Sequence, residues 1–461
     1  MTRVDDLQKI YPNLAREIIV RWEVLVNGIR DSAVLDEVST WHPGGSFQSR
    51  DHDVTLKEIA AKRPGTVRPG YVATPSPLFM KNGLGALITR DTQSPYQIKA
   101  LGDGRYALYE GKEEVQEVYF PLPKPWAEGL KTGKGTSVTT LVNVNRRCFK
   151  IAPVRFCEYF TNGEQCRFCN YNATYDDARS IGTDSPITIN PEDTFEAYEI
   201  ISSQTRLVEG RFQSGAVKSS GKEANMQIRF VERIASAASY TPNLGMSTPP
   251  LDRKGLQRLK DVGLSCIASN LEVWGAEMFE AVCPGKAKYR GHERYLEAYL
   301  EAVDIYGRGQ VACNFVGGVS LMPENGHKTW QESRDSLIEG FRWLISNGVV
   351  PKFQAMRLGT GSIYGDNLAN RAKLAPTEYY LDAALAHHGI MMEYELYKIV
   401  NKFMPCPLDC LPSLYGGDVG ILALAGNVGK WLQDTIPDEW NWLVQFVSSH
   451  SVPSLRDDNQ G

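Results

Sequence analysis

The sequence predicts an α/β fold built on a parallel sheet, and three observations predict it. From Arg147 onward, short apolar runs alternate with helix-length amphipathic stretches, the pattern of parallel strands joined by crossover helices. Three of those helical stretches stop on glycine, at Gly263, Gly307 and Gly348, where a left-handed residue ends a helix without steric cost. Polar and small residues stand where the strands end: Ser214-Gly215-Ala216, Ser247-Thr248, Asn270 and Glu272, Gly317-Gly318, and Gln354 with Arg357. Strand ends of one polarity form the rim on which a parallel β/α sheet builds its site.

Taken in order, residues 1 to about 35 carry apolar residues at helical spacing (Ile10, Leu14, Ile18, Trp22, Leu25), read as one helix broken near Pro12. Residues 36–68 are rich in turn signals. Residues 80–142 read as short strands, with a turn at Gly102-Asp103-Gly104 and a strand in the run SVTTLVNVN from Ser137 to Asn145. Residues 1–140 are thus expected to form an N-terminal α+β appendage. Six strands then follow at 148–156, 206–216, 243–248, 264–272, 310–321 and 350–358. The helices between them include PEDTFEAYEIISSQ, MQIRFVERIASAAS, LDRKGLQRLKDVG, ERYLEAYLEAVDIYG and TWQESRDSLIEGFRWLISNG. The barrel-like region is placed at 141–366. Residues 367–461 are expected to form a mostly helical C-terminal cap, interrupted by CPLDC at 406–410 and ending in a frayed tail.

The chain's 461 residues are 42% apolar and 23% charged, enough to bury a substantial core. A net charge of −4 gives no reason to expect nucleic acid or an acidic membrane surface as partner. No run reaches the roughly 18 apolar residues of a membrane span, and no signal-like segment opens the chain, so a cytoplasmic location is expected. Nine cysteines are too few for a disulfide scaffold, and clustered cysteines in a reducing compartment point to metal binding or catalysis.

The cysteines that cluster are Cys157, Cys166 and Cys169, spaced C-x8-C-x2-C in the loop after the first parallel strand. Four thiolates fill a tetrahedral metal or a four-iron cluster; three leave one iron open to an outside ligand. Spacing alone also allows a structural zinc with Cys148 as fourth ligand, in a non-catalytic scaffold. Cys266, Cys283 and Cys313 read as buried small hydrophobes. Cys406 and Cys410 read either as inert thiols at a turn or as ligands of a second, auxiliary cluster, and His387 and His388 as surface residues.

The chain resembles the radical S-adenosylmethionine (radical SAM) superfamily, in the branch of biotin synthase, the iron-only hydrogenase maturase and methylornithine synthase. The resemblance rests on Cys166-Arg167-Phe168-Cys169, FQSGAVKSS, GLQRLKDVGLSCIASNLEVW with ERYLEAYLEAV, QVACNFVGGVSL and RLGTGS. It implies an incomplete parallel (β/α)6 TIM-like barrel, a [4Fe-4S] cluster on Cys157, Cys166 and Cys169, and S-adenosylmethionine (SAM) on the open iron. It further implies a 5′-deoxyadenosyl radical that takes hydrogen from a small polar substrate, with an electron donor such as flavodoxin or ferredoxin. Phe168 would lie near the adenine, Ser214 and Gly215 at the methionyl amine, Glu272 at the ribose hydroxyls and Arg294 at the methionyl carboxylate. Ser247 and Gly317 would complete the cofactor contacts, and Asn270 and Gln354 would face the substrate. The family's usual spacing is C-x3-C-x2-C, so the loop here is longer. Of the cysteines for biotin synthase's second cluster only Cys313 has a counterpart, so sulfur insertion is not implied.

Overall fold

The computed structural model describes residues 1–43, 55–75, 77–80, 85–120, 129–145, 148–183, 186–204, 207, 209–237, 243–396 and 399. Cys406 and Cys410 therefore lie outside the described residues. Two helices open the chain, α1 (Arg3–Ile10) and α2 (Arg16–Asn27), separated at the expected proline. A three-stranded antiparallel meander follows, β1 (Tyr96–Gly102), β2 (Arg105–Glu110) and β3 (Glu113–Val118). A second small sheet pairs Ser39–Pro43 and Val67–Arg68 with Tyr71–Pro75.

The main sheet has seven strands: β4 (Asn143–Asn145), β5 (Cys148–Ile151), β6 (Glu209–Gln213), β7 (Asn243–Ser247), β8 (Cys266–Ala268), β9 (Val311–Gly317) and β10 (Val349–Ala355). They lie side by side in sequence order, all neighbours parallel except the antiparallel pair of β4 and β5. All six expected parallel strands are present, each shorter than its apolar run. The run from Ser137 is a correction: Val138–Leu141 is a turn of helix and only Asn143–Asn145 is strand. Val138 and Leu141, three apart, both bury on one helical face, and that packing overrides the β propensity of the threonines between them.

Helices connect the strands: α3 (Tyr171–Ser180), α4 (Pro191–Ser202), α5 (Ser220–Ala237), α6 (Arg253–Asp261), α7 (Ala276–Val282), α8 (Pro284–Tyr289), α9 (His292–Tyr306) and α10 (Trp330–Ser346), with α11 (Thr377–Glu393) after the last strand. Their ends follow local chemistry. Asn190 caps α4 ahead of Pro191, and Thr329 with Glu332 forms a capping box on α10.

Strand register separates two faces. Phe315 pairs with Phe353 on the helix side, where both rings meet Phe341 at centroid separations of 5.9 and 5.4 Å. The other face carries Lys150, Arg211, Gly245 and Cys266 in one row and Asn314 beside Lys352 in another. On that face Arg211 Nη1 lies 3.4 Å from Cys266 Sγ. A close-packed barrel interior is aliphatic; this face of the sheet is polar.

The N-terminal segment shares one apolar cluster with the sheet and its helices. Trp22 of α2 stacks between Phe353 and Tyr380, with centroids 5.3 and 5.1 Å away and planes 13° and 15° from parallel. His387 corrects the sequence reading. It is fully buried, its Nε2 2.9 Å from the Pro351 carbonyl and its ring edge-on to Phe341. Burial pushes its pKa down to about 4, so it is a neutral core residue.

Trp22→Ala is expected to destabilise the whole chain by about 3–5 kcal/mol, because it leaves a cavity between two aromatic walls. Denaturant unfolding checks this, and a loss confined to the N-terminal helices would contradict the shared core.

Candidate functional site

The cysteine loop is clamped from three directions, by backbone and side-chain hydrogen bonds together. On the first side, Asn172 of α3 holds Cys157 at both ends of its peptide. The Cys157 N–H donates to Asn172 Oδ1 at 2.7 Å, and Asn172 Nδ2 donates to the Cys157 carbonyl at 3.2 Å. On the second, the loop after β6 is stitched to it: Gly215 N–H to Val154 O at 3.0 Å, Glu158 N–H to Ala216 O at 2.9 Å, and Lys218 N–H to Glu158 Oε2 at 2.7 Å. A Cβ on Gly215 would stand 2.2 Å from the Phe156 carbonyl oxygen. Only glycine allows the two loops to approach this closely.

The third clamp is the junction of α7 and α8. The Arg167 N–H reaches Val282 O at 2.9 Å, Gly285 N–H reaches Glu164 O at 2.8 Å, and Arg167 Nε donates to Ala281 O at 2.8 Å. Tyr289 stacks on Tyr159 at 5.6 Å. The Cys166–Cys169 turn closes on itself through Cys169 N–H to Cys166 O at 2.9 Å, and Tyr364 N–H ties Arg167 O to the segment after β10.

Beside this loop lies a buried polar floor. Lys286 of α8 donates from Nζ to Glu272 Oε1 and to the Asn270 carbonyl, both at 2.7 Å. Glu272 follows β8 with φ of 73°, a left-handed backbone unusual for a residue with a side chain. It is held there from both sides, its N–H on Asn314 O at 2.9 Å and its carbonyl accepting from Val316 N–H at 2.8 Å. Asn314 Nδ2 donates to Asn270 Oδ1 at 2.8 Å. The carboxylate of Glu223 lies under the β6 loop, accepting from Thr248 Oγ1 at 3.1 Å and Val217 N–H at 3.4 Å. Burial pushes its pKa up to about 7.

The expected site residues fall into two groups. Cys157, Cys166, Cys169, Ser214, Gly215, Asn270 and Glu272 belong to this connected region, although Ser214 Oγ is already engaged by Val154 N–H and Gln227 Nε2. Phe168 is half-buried against the core, Ser247 is half-buried at the end of β7, and Gln354 is exposed on β10. Two residues are committed elsewhere. The Arg294 guanidinium grips both oxygens of Glu301 at 3.0 and 2.8 Å and the Leu251 carbonyl at 2.8 Å. The Gly317 carbonyl accepts from Tyr380 OH at 2.9 Å, and a Cβ there would meet the Tyr380 ring at 2.9 Å, so its smallness serves packing.

The residues that sequence reasoning missed are Asn172, Lys286 and Arg290, whose guanidinium donates to the carbonyls of Lys218 and Val217 at 2.6 and 3.0 Å; Cys283 is fully buried, as its reading as a small hydrophobe expects. Their sequence signal is weak: a Pro-Gly turn within CPGKAKY and a lone asparagine opening a helix.

The donor chemistry of the loop suits a thiolate-bound cluster. Cys157 senses the charge of Cys166, and Cys169 senses both. Burial pushes the Cys157 thiol up to about 11 and Cys169 higher still, while the hydrogen bond from Cys283 draws Cys166 down. Among the described residues no group of three or more His, Cys, Asp or Glu side chains is gathered closely enough to hold a metal ion as it stands. The ligand types and their shared loop therefore fit, whereas the thiols are not drawn together. The cationic Lys286 acts on Cys157 and Cys166 and would offset part of the charge of a thiolate set.

No protein-family profile matches the chain. It is 23% identical over 285 residues to bacteriochlorophyllide c C-7(1)-hydroxylase of Chlorobaculum limnaeum, a match covering 58% of this chain and 66% of that protein. Among solved structures it is similar to methylornithine synthase (14% identity, 54% of this chain and 63% of that one, TM-score 0.37). It is also similar to a cobalamin-dependent S-adenosylmethionine radical enzyme (13% identity, 75% and 56%, TM-score 0.31). Each of these matches spans less than two thirds of the relative's own length, and the activity each name states is that protein's own.

The raised pKa of Glu223 gives a signed expectation. Its folded form holds the proton more tightly than the unfolded chain, so its contribution is present below about pH 4.5 and is lost as pH rises through about 7. Relative to Glu223→Gln, the wild type should lose about 3 kcal/mol of stability between pH 4.5 and 8. Denaturant midpoints of both proteins across that range measure it, and parallel pH profiles would contradict the buried-carboxyl assignment.

Proposed function

We propose that this chain is a radical SAM enzyme with an incomplete (β/α)6 barrel, acting on a small polar substrate. The observation that carries the reading is the cysteine loop itself. Three cysteines on one loop are clamped by hydrogen bonds on three sides, at the C-terminal rim of a parallel sheet, beside a buried lysine–glutamate pair. Such a loop has ligands for three irons of a four-iron cluster and leaves the fourth open. A cluster with SAM on its open iron supplies, on one-electron reduction, a 5′-deoxyadenosyl radical able to take hydrogen from carbon.

The protein's own residues would then bind and orient. Cys157, Cys166 and Cys169 hold the cluster. Gly215 lets the β6 loop lie flat against the cysteine loop, presenting its backbone to the methionyl end of SAM. The Glu272 carboxylate, fixed by Lys286, has one oxygen committed and one left to accept hydroxyl groups. Asn270 and Asn314 form a paired amide surface for a polar substrate, with Ser247 and Gln354 at the same strand ends. Arg294 is spent on Glu301, whereas Arg290, anchored to the β6 loop through its terminal nitrogens, keeps a buried Nε that no other group among the described residues engages and that a carboxylate could accept from. An electron donor of the flavodoxin or ferredoxin kind would supply the reducing electron. No helix among the described residues is long and apolar enough to cross a membrane, and the proposed location is the cytoplasm.

Anaerobic purification followed by iron assay tests this reading. About four irons per chain with reductant-dependent formation of 5′-deoxyadenosine supports it; one zinc per chain and no turnover supports a structural scaffold. Cys166→Ala should abolish 5′-deoxyadenosine formation and deplete iron while the circular dichroism of the fold is retained. Residual iron–sulfur absorption in a Cys157/Cys166/Cys169 triple alanine variant would reveal a second cluster elsewhere, with Cys406 and Cys410 its candidate ligands.

A further inference from the structure

We infer that the polar face of the sheet is an anion site, and that the substrate of the reaction proposed above carries an acidic group, a carboxylate or a phosphate, held by Lys150 and Arg211. The word substrate rests on that reading; the anion site does not. Strand register places the two cations. Lys150 of β5 pairs with Arg211 of β6, and Arg211 with Gly245 of β7, so an ammonium and a guanidinium stand side by side, both half-buried. Asn143 of β4 flanks Lys150 on its other side and adds an amide to the row. A Cβ on Gly245 would lie 1.9 Å from Arg211 Nη1. The absent side chain is the space that the guanidinium occupies, reaching Cys266 Sγ at 3.4 Å.

The next row toward the rim sets Gln213, Ser247, Ala268, Ala312 and Val350 side by side. These side chains are uncharged and mostly short, which leaves room for the body of a ligand. Beyond them Lys352, only 2% exposed, stands beside Asn314. Cations gathered on one half-buried face repel one another, and each loses hydration there. A bound anion offsets both costs. A cation that is already hydrogen-bonded still serves, because a guanidinium has five N–H donors and an ammonium three. The guanidinium fork also matches the paired oxygens of a carboxylate or phosphate. The row sets the reach of the ligand as well. Gly215, where the β6 loop meets the cysteine loop, lies four residues beyond Arg211. At the rise of an extended strand, that puts the acidic group roughly 13 Å below the rim.

The test uses the full chain and two probes, inorganic phosphate and succinate. Each is titrated by isothermal calorimetry at constant ionic strength, so that screening is equal throughout. At least one probe should bind saturably; succinate alone marks a carboxylate site and phosphate alone a phosphate site. Lys150→Met and Arg211→Met should each weaken that binding about tenfold or more, the loss expected with a hydrogen bond to a charged group. Lys222→Met, on the exposed first turn of α5, should leave it unchanged. Circular dichroism checks that the variants fold. Should Arg211→Met fail to, Lys150→Gln removes a charge from the same row and gives the same comparison. Absence of saturable binding overturns the inference. So does binding that the Lys150 and Arg211 variants leave intact, which is an adventitious ion only. The iron assay separates the two readings. Anion binding in a chain that takes up no iron supports the site and removes the radical chemistry. An iron-loaded chain that binds neither anion keeps the radical chemistry and overturns the site.

Discussion

The Lys286–Glu272 contact ties the sheet to everything around the cysteines. Burying two charges is expensive, and the attraction between them offsets that cost only with good geometry and further hydrogen bonds. Both conditions hold here. The ammonium has a second acceptor in the Asn270 carbonyl, and Glu272 is bracketed by backbone bonds to the strand of Asn314 and Val316. That bracketing also explains how a glutamate persists at a φ of 73°, since the surrounding ladder over-determines it. Because Lys286 sits one residue beyond Gly285, which bonds Glu164, the pair fixes the helix junction on which the cysteine turn rests.

From that anchor the two faces of the sheet divide the work. The helix side is a run of stacked and edge-on aromatics reaching from Phe315 and Phe353 through Phe341 to His387 and Trp22. Its rigidity gives the strand ends fixed positions. The opposite side keeps Arg211 in the space that Gly245 leaves, where a Cβ would clash with the guanidinium. A polar interior sacrifices aliphatic packing, and the aromatic outer layer together with the N-terminal helix restores buried area.

Much of this was readable in the chain. The six parallel strands and their helices followed from alternation of period and from glycine stops, because period 2 and period 3.6 are local properties of a sequence. Cys157, Cys166 and Cys169 stood out by spacing. Asn172 and Lys286 did not, since each matters through a partner more than ten residues away: Cys157 and Glu272. Lysine in particular reads as a surface residue until its carboxylate partner is seen. Arg294 and Gly317 carry the residue types that a cofactor contact wants, yet Glu301 and Tyr380 engage them.

By itself, then, the sequence determined the class of fold, the order of its elements and the loop that carries the thiols, all of which depend on near neighbours along the chain. Tertiary structure decided which polar groups meet: that Asn172, the β6 loop and the α7–α8 junction close on the cysteine loop, and that His387 and Lys286 are buried. Those outcomes are set by burial and long-range hydrogen bonding, whose energies depend on what each group loses in water and finds in the fold.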